Sequence, residues 1–287
     1  MPSWREGFAE MRPDFVIVGA AKAGTTALAL FLGDHPGIFM SQPKETQFFS
    51  RDFNRGVAWY ERFFDGARED QVRGEASPQY SRNPDIPNVP QRMAAVLGDS
   101  KVIYLVRDPI ERIQSHYAHW VDLGQESRPI GSAIRENPVF LNASRYWHQI
   151  SCYREYFTDD RILVLASEEL RVAPEQTYRQ TCVFLGVDAE LRPDSVGRQV
   201  HVGGVTRSRP GPWLGPAREL LRRSNVAPLV PAGLKSKAHR LGRRPLEAKD
   251  LHLDSEDTDY LRRDLSPDVA RLAAWLGPAA PAWASRY

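Results

Sequence analysis

The chain has 287 residues, 42% of them hydrophobic and 26% charged, with a formal net charge of +2 at pH 7. This is the balance of a globular α/β-sized chain with ample material for a core, and the near-neutral charge gives no ground for a nucleic-acid partner. Two cysteines, Cys152 and Cys182, are too few for a disulfide framework, and no apolar run reaches membrane-spanning length.

The first predicted element is the apolar run Asp14–Gly19, a strand buried on both faces. A turn, Ala20–Gly24, leads into a helix over Thr25–Asp34 with Leu28, Phe31 and Leu32 on one side. Ile38–Met40 reads as a short strand, Val57–Phe64 as an amphipathic helix and Val72–Glu75 as a strand. A helix follows over Val89–Leu97. Lys101–Val106 is the clearest strand, rich in β-branched and aromatic residues. Pro109 sits where a first helical residue is favoured, and that helix runs to about Gly124. A polar loop, a helix near Arg145–Phe157, a strand at Arg161–Leu165 and a helix at Gln176–Leu185 with Gly186 as its C-cap complete the alternation. Residues 203–245 are rich in Gly and Pro and strongly basic, with Glu219 as the one acid, and Asp259–Gly277 reads as a closing helix. Strands alternating with helices predict a mainly parallel, doubly wound α/β sheet flanked by helices, in a single domain over 1–287.

The chemistry concentrates after the first strand. Gly19 and Gly24 keep the glycine spacing of the P-loop, G-x-x-x-x-G-K-[ST], but Thr25 stands in the lysine slot and the lysine, Lys22, has moved ahead of the second glycine. Such a turn offers backbone N–H groups and the positive end of a helix dipole to an anion. Two further segments stand out. One is Pro43-Lys44-Glu45-Thr46-Gln47-Phe48-Phe49; the other is Val102–Pro109 with Arg107 at the strand end and Ser115 in the helix beyond.

Together these three segments resemble the sulfotransferases that use 3′-phosphoadenosine-5′-phosphosulfate (PAPS), in particular the heparan-sulfate type and related bacterial enzymes. Order and spacing agree over about Asp14 to Trp120. The resemblance implies a P-loop-like fold and transfer of a sulfuryl group from PAPS to a hydroxyl of a small-molecule, glycosylated or lipid acceptor. It gives Lys22, Ala23, Gly24, Thr25 and Thr26 to the 5′-phosphosulfate, and Lys22 also to the leaving phosphate oxygen. Glu45 is the implied general base, and Arg107 and Ser115 are implied to clasp the 3′-phosphate. Arg207 and Arg209 belong to a late basic loop that folds over that phosphate in the family. Sulfuryl carries less charge than phosphoryl, so fixed cations suffice and no metal is required. Lys44, Phe49 and Tyr146 are candidate acceptor contacts. His116, His119, His148 and His201 are the histidines available as alternative bases. Glu75–Tyr80 also resembles the family, but Ala76 stands where the heparan sulfate enzymes often carry lysine, which argues against a glycosaminoglycan acceptor.

The remaining expectations are a cytoplasmic, bacterial-type enzyme of secondary metabolism and a peripheral membrane contact through the basic stretch. The oligomeric state is not legible. Two rival readings stand beside the first: a P-loop kinase, and a catalytically silent nucleotide or carbohydrate binder on the same fold.

Overall fold

The computed structural model of the chain describes residues 11–197 and 246–287, together with the short strands Ser208–Pro210 and Arg243–Pro245. Five strands form one parallel sheet: β1 (Phe15–Gly19), β2 (Ile38–Met40), β3 (Val72–Ala76), β4 (Lys101–Val106) and β5 (Ile162–Ala166), in the order β2-β3-β1-β4-β5. β1 is central. Phe15, Val16, Ile17 and Val18 are all fully buried, as a strand covered on both faces requires. The chain crosses between strands through helices α1 (Thr25–Gly33), α2 (Val57–Glu61), α3 (Val89–Leu97) and α4 (Pro109–Leu123).

Beyond α4 lie α5 (Ile130–Glu136), α6 (Val139–Asn142), α7 (Tyr146–Arg154), α8 (Ser167–Val172), α9 (Pro174–Leu185) and a closing helix, Ser255–Leu276. Helices α5 and α6 occupy the stretch expected to be a polar loop. They are short and begin after Pro129 and Pro138, and Ile130, Ala133 and Ile134 recur at the spacing that buries one helix face. That face joins Ile113, Tyr117 and Val121 of α4 and Leu261 and Leu265 of the closing helix in a second apolar cluster. This cluster joins α4 to α5, α6 and the closing helix. The predicted helix over Val57–Phe64 is α2 followed by a 3-10 turn, Arg62–Phe64.

The strands Ser208–Pro210 and Arg243–Pro245 pair antiparallel, and the first lies against α4. Arg209 therefore belongs to a segment that returns to the helix carrying Ser115, whereas Arg207 and most of the basic stretch lie outside the described residues. Among the described residues no helix is long and apolar enough to cross a membrane.

Candidate active site

The carboxyl ends of the strands converge on the turn after β1, the edge where open α/β sheets take ligands. The amide of Ala20 donates to the Leu105 carbonyl at 2.7 Å, which ties the turn to β4. Lys22 has φ 73°, a sparsely populated conformation for a residue with a side chain and one that clusters at functional sites. Gly24, at φ 96°, is the N-cap of α1 and offers no side chain to cap it, and the first turn of α1 carries no acid. The amides at this end of the helix and its positive dipole are thus left for an external anion.

The segment from Lys44 to Phe49 is docked by the amide of Ala76, which donates to the Lys44 carbonyl at 3.0 Å. Thr46, Phe48 and Phe49 turn inward, while Lys44 and Glu45 stay half-exposed. Lys44 Nζ donates to Thr26 Oγ1 at 3.1 Å and pairs with Glu45 Oε1 at 3.2 Å. One ammonium therefore links the anion-binding turn to the candidate base.

Phe49 is not an acceptor contact. It is fully buried, edge-on to Tyr60 at 5.2 Å and Tyr80 at 5.6 Å, and its amide donates to the Tyr80 hydroxyl. The pair Phe48-Phe49 is the hydrophobic anchor that holds Glu45 at the surface of the crevice.

Beneath this anchor lies Glu75, a fully buried carboxylate that sequence reading left without a role. Thr46 Oγ1, Ser77 Oγ and Tyr60 hydroxyl all donate to it, the last two at 3.0 and 2.8 Å. Burial pushes its pKa above the ordinary glutamate range, against the opposing effect of the hydroxyls. Glu75→Ala strands three hydroxyls in a dry core, at about 1–3 kcal/mol each, so chemical denaturation should show a loss on the order of 3–9 kcal/mol. Because the folded pKa is raised, the protonated form is favoured in the folded state. Its contribution is full below the unfolded value and is lost as pH rises through the folded one. The stability difference between wild type and Glu75→Gln should therefore shift against the wild type as pH rises from acid toward neutral. A difference that is flat with pH contradicts this.

Arg107 leaves β4 at the same edge. Its Nη1 donates to the Lys22 carbonyl at 3.4 Å and its Nη2 to Glu111 Oε2 at 2.9 Å. Asp108 caps α4, with Oδ1 accepting from the amides of Ile110 and Glu111 and Oδ2 accepting from Arg286 at 2.7 Å. Those engagements leave it poorly placed to serve as the magnesium carboxylate of a kinase. Ser115 is half-buried, one helical turn beyond Glu111 and so on the flank that Arg107 meets.

Tyr146 is also corrected. It is fully buried, and its hydroxyl donates to the Arg107 carbonyl at 2.7 Å, so it braces the turn that carries Arg107 rather than lining an acceptor pocket.

Three groups on α4 lie beside these residues. Arg112 is fully buried; it donates to Ser144 Oγ at 2.6 Å and the Phe140 carbonyl at 2.7 Å, and reaches the Ala21 carbonyl at 3.5 Å. It thus ties the turn after β1 to α4. Burial and the adjacent Arg112 push His116 well below the usual histidine range. His119 is lowered by burial and by Lys22, while Asp122 and Glu45 oppose the shift. His119 therefore lies within electrostatic reach of both Lys22 and Glu45.

Residues 12–201 match the family model described as "Sulfotransferase domain". Over 206 residues the chain is 29% identical to the human bifunctional heparan sulfate N-deacetylase/N-sulfotransferase 2, which covers 64% of this chain and 23% of that protein. Over 236 residues it is 29% identical to the mouse heparan sulfate glucosamine 3-O-sulfotransferase 3A1, covering 73% and 58%. The chain thus spans less than a quarter of the length of the bifunctional relative. Among solved structures, a sulfotransferase from Alicyclobacillus acidocaldarius aligns with a TM-score of 0.66 and 27% identity over 92% of this chain and 96% of that one. A mouse sulfotransferase complexed with PAP shares the fold at a TM-score of 0.51 and 15% identity, over 95% and 89%.

Proposed function

The chain belongs to the sulfotransferase family, and from that premise we propose that it transfers a sulfuryl group from PAPS to a hydroxyl of a small-molecule or glycosylated acceptor. The observation that carries this reading is the relay Thr26–Lys44–Glu45, at 3.1 and 3.2 Å, which joins an uncapped helix N-terminus to a carboxylate. A donor held at the first site has its reacting end beside the second.

The residues fit such a donor. The amides of Gly24, Thr25 and Thr26, with Lys22, suit a 5′-phosphate. Arg107 has a quarter of its side chain exposed and, with Ser115 on the adjacent helix flank, suits a second phosphate. PAPS supplies an activated sulfuryl group on a phosphate leaving group. Lys22 places a fixed positive charge where the departing oxygen becomes anionic. Glu45 accepts the proton of the acceptor hydroxyl, while Lys44 orients its carboxylate. The same reading takes the chain as one catalytic domain in a reducing compartment; Cys152 and Cys182 form no disulfide.

Calorimetry with adenosine 3′,5′-bisphosphate and with ATP separates this from the kinase reading. The bisphosphate should bind without magnesium; tight binding of ATP only with magnesium, and none of the bisphosphate, overturns the proposal. Arg107→Ala should weaken the bisphosphate by about 10–100-fold more than it weakens 5′-AMP, the scale of charge-assisted hydrogen bonds. Equal losses for the two nucleotides would show that Arg107 does not read the 3′-phosphate.

A further inference from the structure

Arg82 is a partly buried cation beside α4. Its Nε is buried with no hydrogen-bond partner, and among the described residues the guanidinium makes no hydrogen bond or ion pair. It lies over the Trp120 ring at 6.0 Å. Burial disfavours its charge, with Asp85 the opposing carboxylate. Arg112 is also a charged neighbour, and both press on His116. Asp85 offsets part of the burial cost, but the Nε stays without a hydrogen-bond partner, and an anion on the guanidinium would complete it.

Its position relates it to the reaction. The amide of Ser81 donates to the Val18 carbonyl at 3.0 Å, so Arg82 follows directly from the residue paired with the end of β1. A Cβ at Gly19 would lie 1.9 Å from Ser81 Oγ, so glycine there lets this strand end and the phosphate-binding turn close together. On α4, Trp120 is five residues beyond Ser115, about 140° round the helix at 3.6 residues per turn. The flank of α4 that meets Arg107 is the one given above to the donor. The flank that meets Arg82 is separate from it, with His119 between them round the helix.

We propose that Arg82, backed by Trp120, anchors an oxyanion carried by the acceptor, a carboxylate or a sulfate, so that a neighbouring hydroxyl is presented to Glu45. This rests on the roles given to Lys22 and Glu45 above and adds the class of acceptor. The ring face of Trp120 supports the guanidinium from one side and leaves its outer nitrogens for bidentate contact with the anion.

The test uses two probes that differ by one carboxylate, p-nitrophenyl β-D-glucuronide and p-nitrophenyl β-D-glucoside, titrated into protein saturated with adenosine 3′,5′-bisphosphate. Wild type should bind the glucuronide at least about tenfold more tightly, and Arg82→Gln should abolish that preference while keeping bisphosphate affinity. Arg82→Lys, which keeps the charge without the fork, should retain part of it. Equal affinity of the two probes for wild type, including no binding of either, overturns the inference. So does a preference that survives in Arg82→Gln. A matching loss of bisphosphate affinity in Arg82→Gln would make Arg82 a donor ligand and also overturn it. Wild type that binds no bisphosphate removes the parent reading, and this one with it.

Discussion

Glu45→Gln is expected to reduce turnover by about 10²–10⁴-fold, the usual contribution of a positioned general base. The carboxylate has 38% of its side chain exposed and pairs with Lys44 at 3.2 Å. Glutamine keeps the shape and the contact with Lys44 but accepts no proton at neutral pH. The inward-facing Thr46, Phe48 and Phe49 are untouched, so the segment should stay docked. Affinity for adenosine 3′,5′-bisphosphate should therefore remain within about twofold of wild type, since Glu45 has no role in holding the nucleotide. The assay is transfer of label from [³⁵S]PAPS into acceptors in a metabolite extract of the source organism. Turnover near wild type would remove Glu45 from the mechanism and direct attention to His119, a half-buried imidazole in electrostatic reach of Lys22.

Lys22→Ala should cost a similar amount by a different route. Removing one preorganised charge from a developing oxyanion typically costs about 10²–10³-fold in kcat. Lys22 differs from the surrounding cations because the backbone holds it at φ 73°, with its carbonyl bonded to Arg107. Its backbone is thereby held in place at the turn. If its work is done as charge develops on the leaving phosphate, the loss should fall on kcat more than on KM for PAPS. A loss confined to KM would mean that Lys22 holds donor and transition state equally. The silent-binder reading predicts no label transfer with either protein, while bisphosphate binding persists.

The sheet and the turn were legible because local signals and tertiary structure agree there. Phe15–Val18 is apolar without alternation, as a strand covered on both faces must be, and the displaced Lys22 distinguishes the turn from a nucleotide-triphosphate loop. In the segment Lys44–Phe49 the half-exposed Lys44 and Glu45 keep the roles proposed for them, but the inner half was misread. Phe49 and Tyr146 were given to the acceptor because aromatics suit both pockets and cores, and which of the two holds depends on Tyr60 of α2, Tyr80 in the turn after β3 and Tyr104 of β4. Glu75 and Arg112 were missed for a related reason. A charged residue in a strand or helix reads as solvent-facing until the elements that bury it and satisfy it are known. Helices α5 and α6 carried a signal at Ile130, Ala133 and Ile134, but their brevity hid it among polar neighbours. Arg207 lies outside the described residues, and Arg209 is placed only as part of a strand beside α4.

The most direct test of the central claim is a crystal structure of the protein with adenosine 3′,5′-bisphosphate. The 5′-phosphate should sit on the amides of Gly24, Thr25 and Thr26 with Lys22 Nζ in hydrogen-bond reach, and the 3′-phosphate should lie against Arg107 and Ser115. A nucleotide bound elsewhere, or one seated at the turn while the Lys22 ammonium points into solvent, would contradict it.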